Sequence, residues 1–404
     1  MAKPLTGVRV VELATFVAGP SCARILADLG AEVIKLEPPK GDMWRFTGKS
    51  YIPTEFSDDE NPIFDIYNTG KKFLSLNLKT EEGMEAFMKL LETTDVFVTN
   101  NRPAALKRLG ICYDDLKERF PKLIYAVLLG YGEKGPDAHR PAFDSVAFWA
   151  KSGFLHDQAT KSEDYAPISP PWGVGDTVTG YVLLAEICAA LYRRMQTGEG
   201  DYVTSGLYHT GIFTMGTMNI QAQRPFGKEF PVTRVNHGVP GGTYKCADDE
   251  WVYVGISSNH LMIPVLCKAI GRPELVDDRR YVEENMRIVD REGFYKIFRE
   301  AFLSQPHTYW LQKAEELDIP LVHMNSYAGV YEDEQAWANG YVEKVTFRNG
   351  RVACMPKSPI EMQSVGELKT VPAAGIGADT KDILASLGYT EEQIEAMLAA
   401  GAAK

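Results

Sequence analysis

Short apolar runs alternate with longer amphipathic stretches through the first half of the chain. The apolar, β-branched runs predict strands at residues 8–14, 31–37, 73–78, 96–99, 123–129 and 201–207. The amphipathic stretches predict helices at residues 18–28, 81–93, 103–109, 113–119 and 177–195. Strands that alternate with helices are typical of βαβ units, which build a parallel sheet with helices on both faces. The pattern therefore predicts an α/β fold.

The pattern changes after residue 220. Periodicity fades, and then two strand-like runs flank Ala-Asp-Asp-Glu and predict a hairpin, followed by helices near residues 259–270, 289–302 and 307–317. Beyond Tyr331 the chain returns to the first domain and closes with two helices near residues 380–387 and 391–400. We predict a large domain over 1–220, a linker over 221–240, a small α+β domain over 241–330 and a return segment over 331–404. The proline-containing segment 38–68 is predicted to be a long loop.

Composition narrows the class of protein. The 404 residues are 45% hydrophobic and 24% charged, as is usual for a soluble globular protein. The net charge of -11 argues against nucleic-acid binding. The most apolar run, 181–191, contains Glu186 and is too short to span a bilayer, and the N-terminus has no apolar signal region. We therefore expect a cytoplasmic protein without a membrane partner.

The metal-binding side chains are scattered. Six cysteines show no Cys-x-x-Cys spacing, and seven histidines form no His-x-His or His-x-x-x-His pair. We expect no bound metal.

One carboxylate follows a turn of small residues. Gly173 and Gly175 flank the approach to Asp176, and the apolar run predicted to be a helix begins immediately after it. Asp is a favoured N-cap residue, so the spacing alone favours plain capping, with a low pKa. The same ionised carboxylate, with glycines leaving room for a substrate, is a candidate nucleophile. The two roles are compatible.

Ligands of parallel α/β sheets bind beyond the carboxyl ends of the strands. This rule selects candidates in the turns that follow the predicted strands: Thr15, Phe16, Val17, Glu37, Arg45, Asn100, Asn101, Arg102, Gly130 and Tyr131. Basic residues nearby suit a phosphorylated ligand, although each alone is more commonly a solvated surface charge. These are Lys71, Lys72 and Arg108.

Many separately placed motifs occur in one order along the chain. They include Ala18-Gly-Pro20, Leu29-Gly-Ala-Glu-Val-Ile-Lys-Leu-Glu37, Gly41-Asp42, Asn68 with Lys71, Gly130-Tyr131, Gly175-Asp176 and Thr197-Gly-Glu-Gly200. Over its whole length the chain resembles the class III, CaiB/BaiF-type CoA-transferases. Residues 130–137, Phe143-Asp144 and 332–338 resemble most the branch acting on 2-hydroxyacyl groups such as phenyllactate and 2-hydroxyisocaproate.

The resemblance implies a ring-shaped subunit with a Rossmann-like large domain made of both chain ends, in an interlocked homodimer. It also implies that Asp176 attacks an acyl-CoA substrate and forms a mixed anhydride, then an aspartyl-CoA thioester. No metal takes part in that chemistry.

Residue by residue, the resemblance assigns CoA contacts to Asn68, Lys71, Lys72, Asn100, Ala105, Arg108 and Tyr131, and places Thr15, Phe16 and Val17 beside the reactive carbonyl. Oxalate-type members have His and Gln at the positions of Thr15 and Val17, and a basic residue at Leu129. The less polar residues here disfavour a second carboxylate, so we expect a monocarboxylic acyl group with an apolar side chain. The family's glycine-rich loop would lie at residues 238–242, where the glycines also suit entry to the hairpin.

Other interpretations stay open at this stage. Acyl-CoA racemases share the resemblance, but they have a His-Asp pair where this chain has Phe143-Asp144. An NAD-dependent dehydrogenase would need Gly-x-Gly-x-x-Gly after the first strand, which is missing. A non-catalytic CoA-binding protein fits if Asp176 only caps its helix. Phe148, Trp149 and Trp172 would line an aromatic acyl pocket or belong to the core.

Overall fold

A computed structural model of the chain describes residues 2–51, 60–157, 170–171, 173–228, 240–256 and 258–404. These residues form two compact units. The described residues up to 228 and from 334 onward make up the large unit, and those between 240 and 333 make up the small unit. Trp172 and residues 229–239, which include most of the predicted linker and the start of the predicted glycine-rich loop, lie outside the described residues.

Strands and helices are numbered in chain order. The strands are β1 (Arg9–Leu13), β2 (Glu32–Glu37), β3 (Lys72–Ser75), β4 (Val96–Thr99), β5 (Ile124–Leu129), β6 (Asp201–Gly206), β7 (Gly242–Lys245), β8 (Trp251–Val254), β9 (Leu321–His323), β10 (Val342–Thr346) and β11 (Val352–Pro356). The helices are α1 (Ala18–Asp28), α2 (Trp44–Thr47), α3 (Pro62–Asn68), α4 (Glu81–Leu91), α5 (Pro103–Leu109), α6 (Tyr113–Leu116), α7 (Phe154–Asp157), α8 (Val174–Thr197), α9 (Leu207–Thr214), α10 (Gly216–Gln221), α11 (Asn259–Ala269), α12 (Arg291–Phe302), α13 (His307–Leu317), α14 (Glu334–Ala338), α15 (Thr380–Ser386) and α16 (Glu391–Ala399).

The first six strands form one parallel sheet in the order β3-β2-β1-β4-β5-β6. The predicted α/β fold with a parallel sheet is confirmed. The strand order reverses between β1 and β4, where Leu13 lies opposite Thr99. Such a switch point opens a crevice at the carboxyl ends of the strands, which is the usual ligand site of these sheets.

Alternate residues of the sheet belong to two cores. On β5, Ile124 and Ala126 pack in the core that contains the buried faces of α1 and α8. Tyr125 and Val127 pack in the opposite core, with α4 and the C-terminal helices α15 and α16. Because both faces are covered, the central strands β4 and β5 are buried throughout and almost continuously apolar rather than alternating.

Residues 38–68 are not a plain loop, so that prediction is wrong. They include α2, a 3-10 turn (Gly48–Tyr51) and α3. The start of α3 has a local signal, because the Asn61 side chain accepts a hydrogen bond from the N–H of Phe64 and Pro62 occupies the first helical turn.

Helix α8 is the longest helix described. By length and composition alone it is apolar enough to cross a membrane. In this structure it is a core helix: its buried face includes Leu183 and Ile187. A Cβ at Gly180 would lie 2.1 Å from the Ser21 Oγ and 2.6 Å from the Ala18 carbonyl oxygen, so α8 and α1 are in close backbone contact.

The small unit has an antiparallel sheet, β7-β8-β9, with α11, α12 and α13. Its core is rich in aromatic rings, including Tyr244 stacked on Phe302. The predicted hairpin is confirmed as β7 and β8, with Gly242 as the first residue of β7. The third strand, β9, has only three residues and was not predicted.

Candidate active site

The first turn of α8 holds Asp176. The helix begins at Val174, and Gly173 is the N-cap residue with a left-handed φ of 83°. Asp176 is therefore the third helical residue and makes no capping hydrogen bond, so the prediction that it caps the helix is wrong. The carboxylate beside the cap is Asp144, whose Oδ2 accepts a hydrogen bond of 2.7 Å from the N–H of Gly173.

The protonation of Asp176 also differs from expectation. A capping carboxylate would have a low pKa, whereas burial and then the negative charge of Asp144 raise the pKa of Asp176 to about 7. Neither carboxylate forms an ion pair within the described residues. Asp176 is thus a poorly stabilised carboxylate, which favours nucleophilic attack once it is ionised.

The turn after β1 forms the neighbouring wall. Phe16 has a positive φ of 62°, which is unusual for a residue other than glycine. Asn100, after β4, bonds both backbone groups of Thr15: its Oδ1 accepts from the N–H at 2.9 Å and its Nδ2 donates to the carbonyl oxygen at 2.7 Å. Backbone strain held in place by such contacts is common at functional sites.

A buried charge network supports this turn from below. Lys35 on β2 pairs with Glu12 at 2.8 Å and with Asp42 at 2.9 Å, and all three side chains are at most 1% exposed. Asp42 Oδ1 in turn accepts hydrogen bonds from the N–H groups of Phe16 at 3.4 Å and Trp44 at 2.9 Å. The network therefore ties β1 and β2 to two aromatic residues beside Asp176.

A cavity of about 400 Å³ opens beside Asp176 at the carboxyl ends of β1, β4 and β5. We call it the basic cleft, because its lining includes Arg102, Arg108, His139 and Arg140. Arg102 and Arg108 make no ion pair within the described residues, and Arg140 pairs with Asp137 at 2.9 Å. The unpaired guanidinium groups are suited to an anionic ligand.

A second cavity, of about 370 Å³, also borders Asp176. We call it the aromatic cavity; its lining is Phe16, Val17, Trp44, Thr47, Tyr51, Phe143, Asp144, Ser145, Gly173 and Asp176. Phe16 meets Phe143 edge-on at 5.5 Å and Trp44 at 5.8 Å. Asp176, Phe16 and Phe143 line both cavities, so Asp176 stands where a basic cleft meets an apolar one.

Residues 5–380 match the sequence model of CoA-transferase family III. The chain belongs to this family. It is accordingly an enzyme with CoA-transferase activity, and the family predicted from the motifs is confirmed.

Two relatives of known activity align over nearly the full length of this transferase. It is 40% identical over 391 residues to an (R)-2-hydroxy-4-methylpentanoate CoA-transferase from Clostridioides difficile, covering 96% of this chain and 97% of the relative. It is 36% identical over 396 residues to a cinnamoyl-CoA:phenyllactate CoA-transferase from Clostridium sporogenes, covering 96% and 95%. The fold is similar to a crystal structure of a CaiB/BaiF family protein from Brucella suis, with a TM-score of 0.79, 26% identity and coverage of 96% and 100%.

Six of the predicted site residues meet at the basic cleft of the transferase: Thr15, Phe16, Asn100, Ala105, Arg108 and Asp176. Val17 lines the aromatic cavity instead. Asn100 directs its side-chain amide to the backbone of Thr15, so in this structure it positions the turn.

Four others are not brought together with them. The ammonium of Lys71 is buried, pairs with Glu12 at 2.6 Å and donates to Asn68 Oδ1 at 3.0 Å. Asn68 is itself fully buried. The exposed Lys72 pairs with Glu32 at 2.6 Å, and the ring of Tyr131 lies near Tyr208 with centroids 6.4 Å apart. None of the four lines either cavity.

Several residues of the site were missed at the sequence level. Trp44, Tyr51, Arg140 and Asp144 reach the cavities from segments without a clear periodic pattern. Among these residues, only Asp144 could have been found from the sequence, because Phe143-Asp144 is one of the motifs shared with the family. Phe148 and Trp149 are buried in the core with α8 and line neither cavity, so they belong to the core rather than to an acyl pocket.

Within the part of the chain that the structure describes, no three His, Cys, Asp or Glu side chains are grouped to hold a metal ion.

Proposed function

We propose that this transferase moves CoA from an acyl-CoA donor to a 2-hydroxy monocarboxylic acid with an apolar side chain, such as 2-hydroxyisocaproate or phenyllactate. The observation that carries the proposal is the position of Asp176 between the basic cleft and the aromatic cavity. A thioester bound with its CoA in the cleft and its acyl group in the cavity brings its carbonyl carbon to this carboxylate. The two relatives named for such acids support the choice of substrate.

Asp176 acts as the nucleophile in this proposal. Its carboxylate attacks the thioester carbonyl, the C–S bond breaks, and a mixed anhydride and CoA thiolate form. The thiolate attacks the aspartyl carbonyl and releases the donor acid, leaving an aspartyl-CoA thioester. The acceptor carboxylate attacks this thioester, and the thiolate then attacks the acceptor carbonyl of the new anhydride. Acceptor acyl-CoA leaves, Asp176 is regenerated as a carboxylate, and the cycle takes up no net proton.

The basic cleft supplies the CoA site. CoA carries phosphate groups, and arginine binds phosphate in a bidentate manner. Arg102 is the N-cap residue of α5 and Arg108 lies near the end of that helix, while Arg140 lines the cleft from the segment after β5. Ala105, also in α5, leaves space beside these charges.

The aromatic cavity supplies the acyl site. Trp44, Tyr51 and Phe143 present apolar surface suited to a branched aliphatic or phenyl group. No basic residue is among its described lining residues, and two carboxylates are. A second carboxylate on the substrate would therefore be desolvated beside like charges, which disfavours diacids. Thr47 and Ser145 offer short hydroxyl groups to the 2-hydroxyl of the acid.

The test is CoA exchange followed by mass spectrometry. Wild-type enzyme and Asp176→Asn are incubated with acyl-CoA donors and a panel of 2-hydroxy acids, unsubstituted acids and diacids. We expect transfer by the wild type to apolar 2-hydroxy acids, none by the variant, and a hydroxylamine-sensitive CoA adduct on the peptide containing Asp176.

Four outcomes would overturn the proposal. Equal transfer to oxalate or glutarate would remove the substrate assignment. Transfer by Asp176→Asn would remove the nucleophile. Deuterium incorporation at the α-carbon without CoA transfer would point to a racemase, and tight CoA binding without either reaction to a non-catalytic CoA-binding protein.

We further propose that the enzyme works as a cytoplasmic homodimer. The outward faces of α8 and α9 carry large exposed apolar side chains, including Met195 and Phe213, which are 84% and 85% exposed. Apolar surface of this kind commonly marks a protein interface. Light scattering should give twice the mass of the chain, and Phe213→Glu should reduce it; a monomeric wild type would contradict the proposal.

A further inference from the structure

Asp144 is a buried carboxylate that contacts the start of α8 from a segment 29 residues earlier in the chain. It is 4% exposed, and its Oδ2 accepts the N–H of Gly173 at 2.7 Å. Its Oδ1 makes no hydrogen bond and lies against Gly175, where a Cβ would come within 2.3 Å of it. The same Cβ would lie 2.2 Å from Cγ of Phe148, so Asp144 and Phe148 together require a glycine at position 175. The left-handed Gly173 turns its N–H toward Asp144.

Asp144 and Asp176 lie on the wall of the same cavity. Neither has a cationic partner among the described residues, although a buried carboxylate is normally paired. The titratable groups nearest Asp176 are Asp144, from the segment before the π-helical turn (Ser145–Ala150), and Tyr67 from α3, which in turn lies near Tyr181 of α8. Tyr51 lines the aromatic cavity with Asp176, and Arg102, Arg108, His139 and Arg140 line the basic cleft with it.

We propose that Asp144 is a positioning residue that anchors the first turn of α8 and places a second negative charge beside the nucleophile. The inference rests on the proposed role of Asp176. Asp144 does not touch the reacting atoms. Its effect is to hold the peptide N–H of Gly173 and to keep the charge of Asp176 poorly stabilised, so that the carboxylate is a better nucleophile when ionised.

Anchoring and charge can be separated. Asparagine binds a helix N-terminal N–H about as well as aspartate does, but carries no charge. Asp144→Asn should thus keep the first turn of α8 in place and remove only the charge. Since the negative charge of Asp144 and burial both raise the pKa of Asp176, the variant should lower that pKa.

The expected result is a displaced pH profile. Transfer requires ionised Asp176, so kcat/KM falls on the acidic side. Because two facing carboxylates titrate as a pair, the acid limb of the wild type belongs to both. In Asp144→Asn this limb should move to lower pH by about one unit, a typical size for a lost neighbouring like charge. The plateau value of kcat should fall several-fold while KM for acyl-CoA stays within about twofold, because the weaker base is the weaker nucleophile.

Two comparison variants show whether a shifted pH profile of Asp144→Asn reports the loss of its charge. Asp290→Asn alters an equivalent cap on α12 in the small unit, where Asp290 Oδ1 accepts the N–H of Gly293 at 2.9 Å; its pH profile should match the wild type. Asp144→Ala removes anchor and charge together and should also lower Tm. An unshifted acid limb in a folded Asp144→Asn enzyme would overturn the proposal.

Failure of the proposed nucleophile gives a different signature. If Asp176→Asn still transferred CoA, or no adduct formed on Asp176 in the wild type, the function proposal would fail irrespective of Asp144. If the adduct forms on Asp176 and the Asp144→Asn profile coincides with the wild type, only the inference about Asp144 fails.

Discussion

The side-chain amide of Asn100 is bonded at both ends to the backbone of Thr15, with distances of 2.9 Å to its N–H and 2.7 Å to its carbonyl oxygen. This pair joins the turns after β1 and β4, the two strands at which the order of the sheet reverses. An asparagine that looks like a CoA ligand from its place in the sequence thus holds one wall of the cleft to the other.

Asn100→Ala is the first test of that arrangement. Two hydrogen bonds are lost, which should lower the free energy of unfolding by about 1–3 kcal/mol. The loosened turn should reduce kcat more than it raises KM for acyl-CoA. Asn339→Ala is the control: it removes one exposed hydrogen bond of 2.8 Å, which Asn339, just after α14, donates to the carbonyl oxygen of Gln335, and it should change neither stability nor kinetics. A large rise in KM with unchanged Tm would instead make Asn100 a direct ligand.

The arginines of the basic cleft should act mainly on CoA binding. Arg108→Gln removes a charge from the lining and should raise KM for acyl-CoA by about tenfold, the usual size for a charge-assisted contact. Lys107→Gln is the matched control, because Lys107 is exposed on the same helix and does not line the cleft. Steady-state kinetics at two salt concentrations would distinguish a specific contact from general attraction. Equal effects of the two variants would argue against a CoA site here.

The aromatic cavity should set the size of the acyl group. Phe143 is 56% exposed, so Phe143→Ala widens the cavity with little loss of packing. We expect the ratio of kcat/KM for phenyllactate over 2-hydroxyisocaproate to rise about tenfold, as lost contacts penalise the smaller acid most. Val146→Ala, an exposed neighbour outside the lining, should leave the ratio unchanged. An unchanged ratio in Phe143→Ala would place the acyl group elsewhere.

Asp176 should cost the enzyme stability at alkaline pH. Its pKa is about 7 in the folded enzyme, against 3.8 for an ordinary Asp. The folded state therefore binds a proton that the unfolded state does not as pH falls from 7 toward 4, and wild-type stability gains from this group in that window. Above pH 7 Asp176 is ionised in both the folded and the unfolded state, and the folded state then bears the full cost of burying the charged carboxylate.

Asp176→Asn should accordingly raise Tm at pH 8 by about 5 °C, with the difference shrinking toward pH 4. Calorimetry across this range measures it, with the exposed Asp382→Asn as a control that should show no such trend. A variant that is less stable than the wild type at pH 8 would contradict the raised pKa.

The sheet was predictable because its signals are local. Each strand has a core of apolar or β-branched residues, and helices such as α4 and α16 begin at threonine caps that the sequence displays. The start of α8 was not predictable in this way. Its anchor, Asp144, lies 29 residues before Gly173 in the chain, and a carboxylate next to glycines was mistaken for the cap itself.

The charged residues show the same limit. Lysine is a residue type that commonly binds phosphate, but the ammonium of Lys71 pairs with Glu12 from β1. Burial lowers the pKa of Lys71 to about 8. Pairings between distant segments decide whether a basic residue faces a ligand or the interior. The family motifs predict a site despite this, because they reflect the fold as well as the chemistry.

The link from Trp44 to Asp42, Lys35 and Glu12 limits how the wall of the aromatic cavity can open by local fluctuation. Moving Trp44 outward would disturb the buried charges of Asp42 and Lys35, which are almost completely shielded from water. This wall should therefore open only when β1 and β2 separate. Its amide protons should therefore exchange with solvent as slowly as those of the central strands. The exposed part of the lining, where Tyr51 and Phe143 are 48% and 56% exposed, is where an acid can enter without unfolding the sheet.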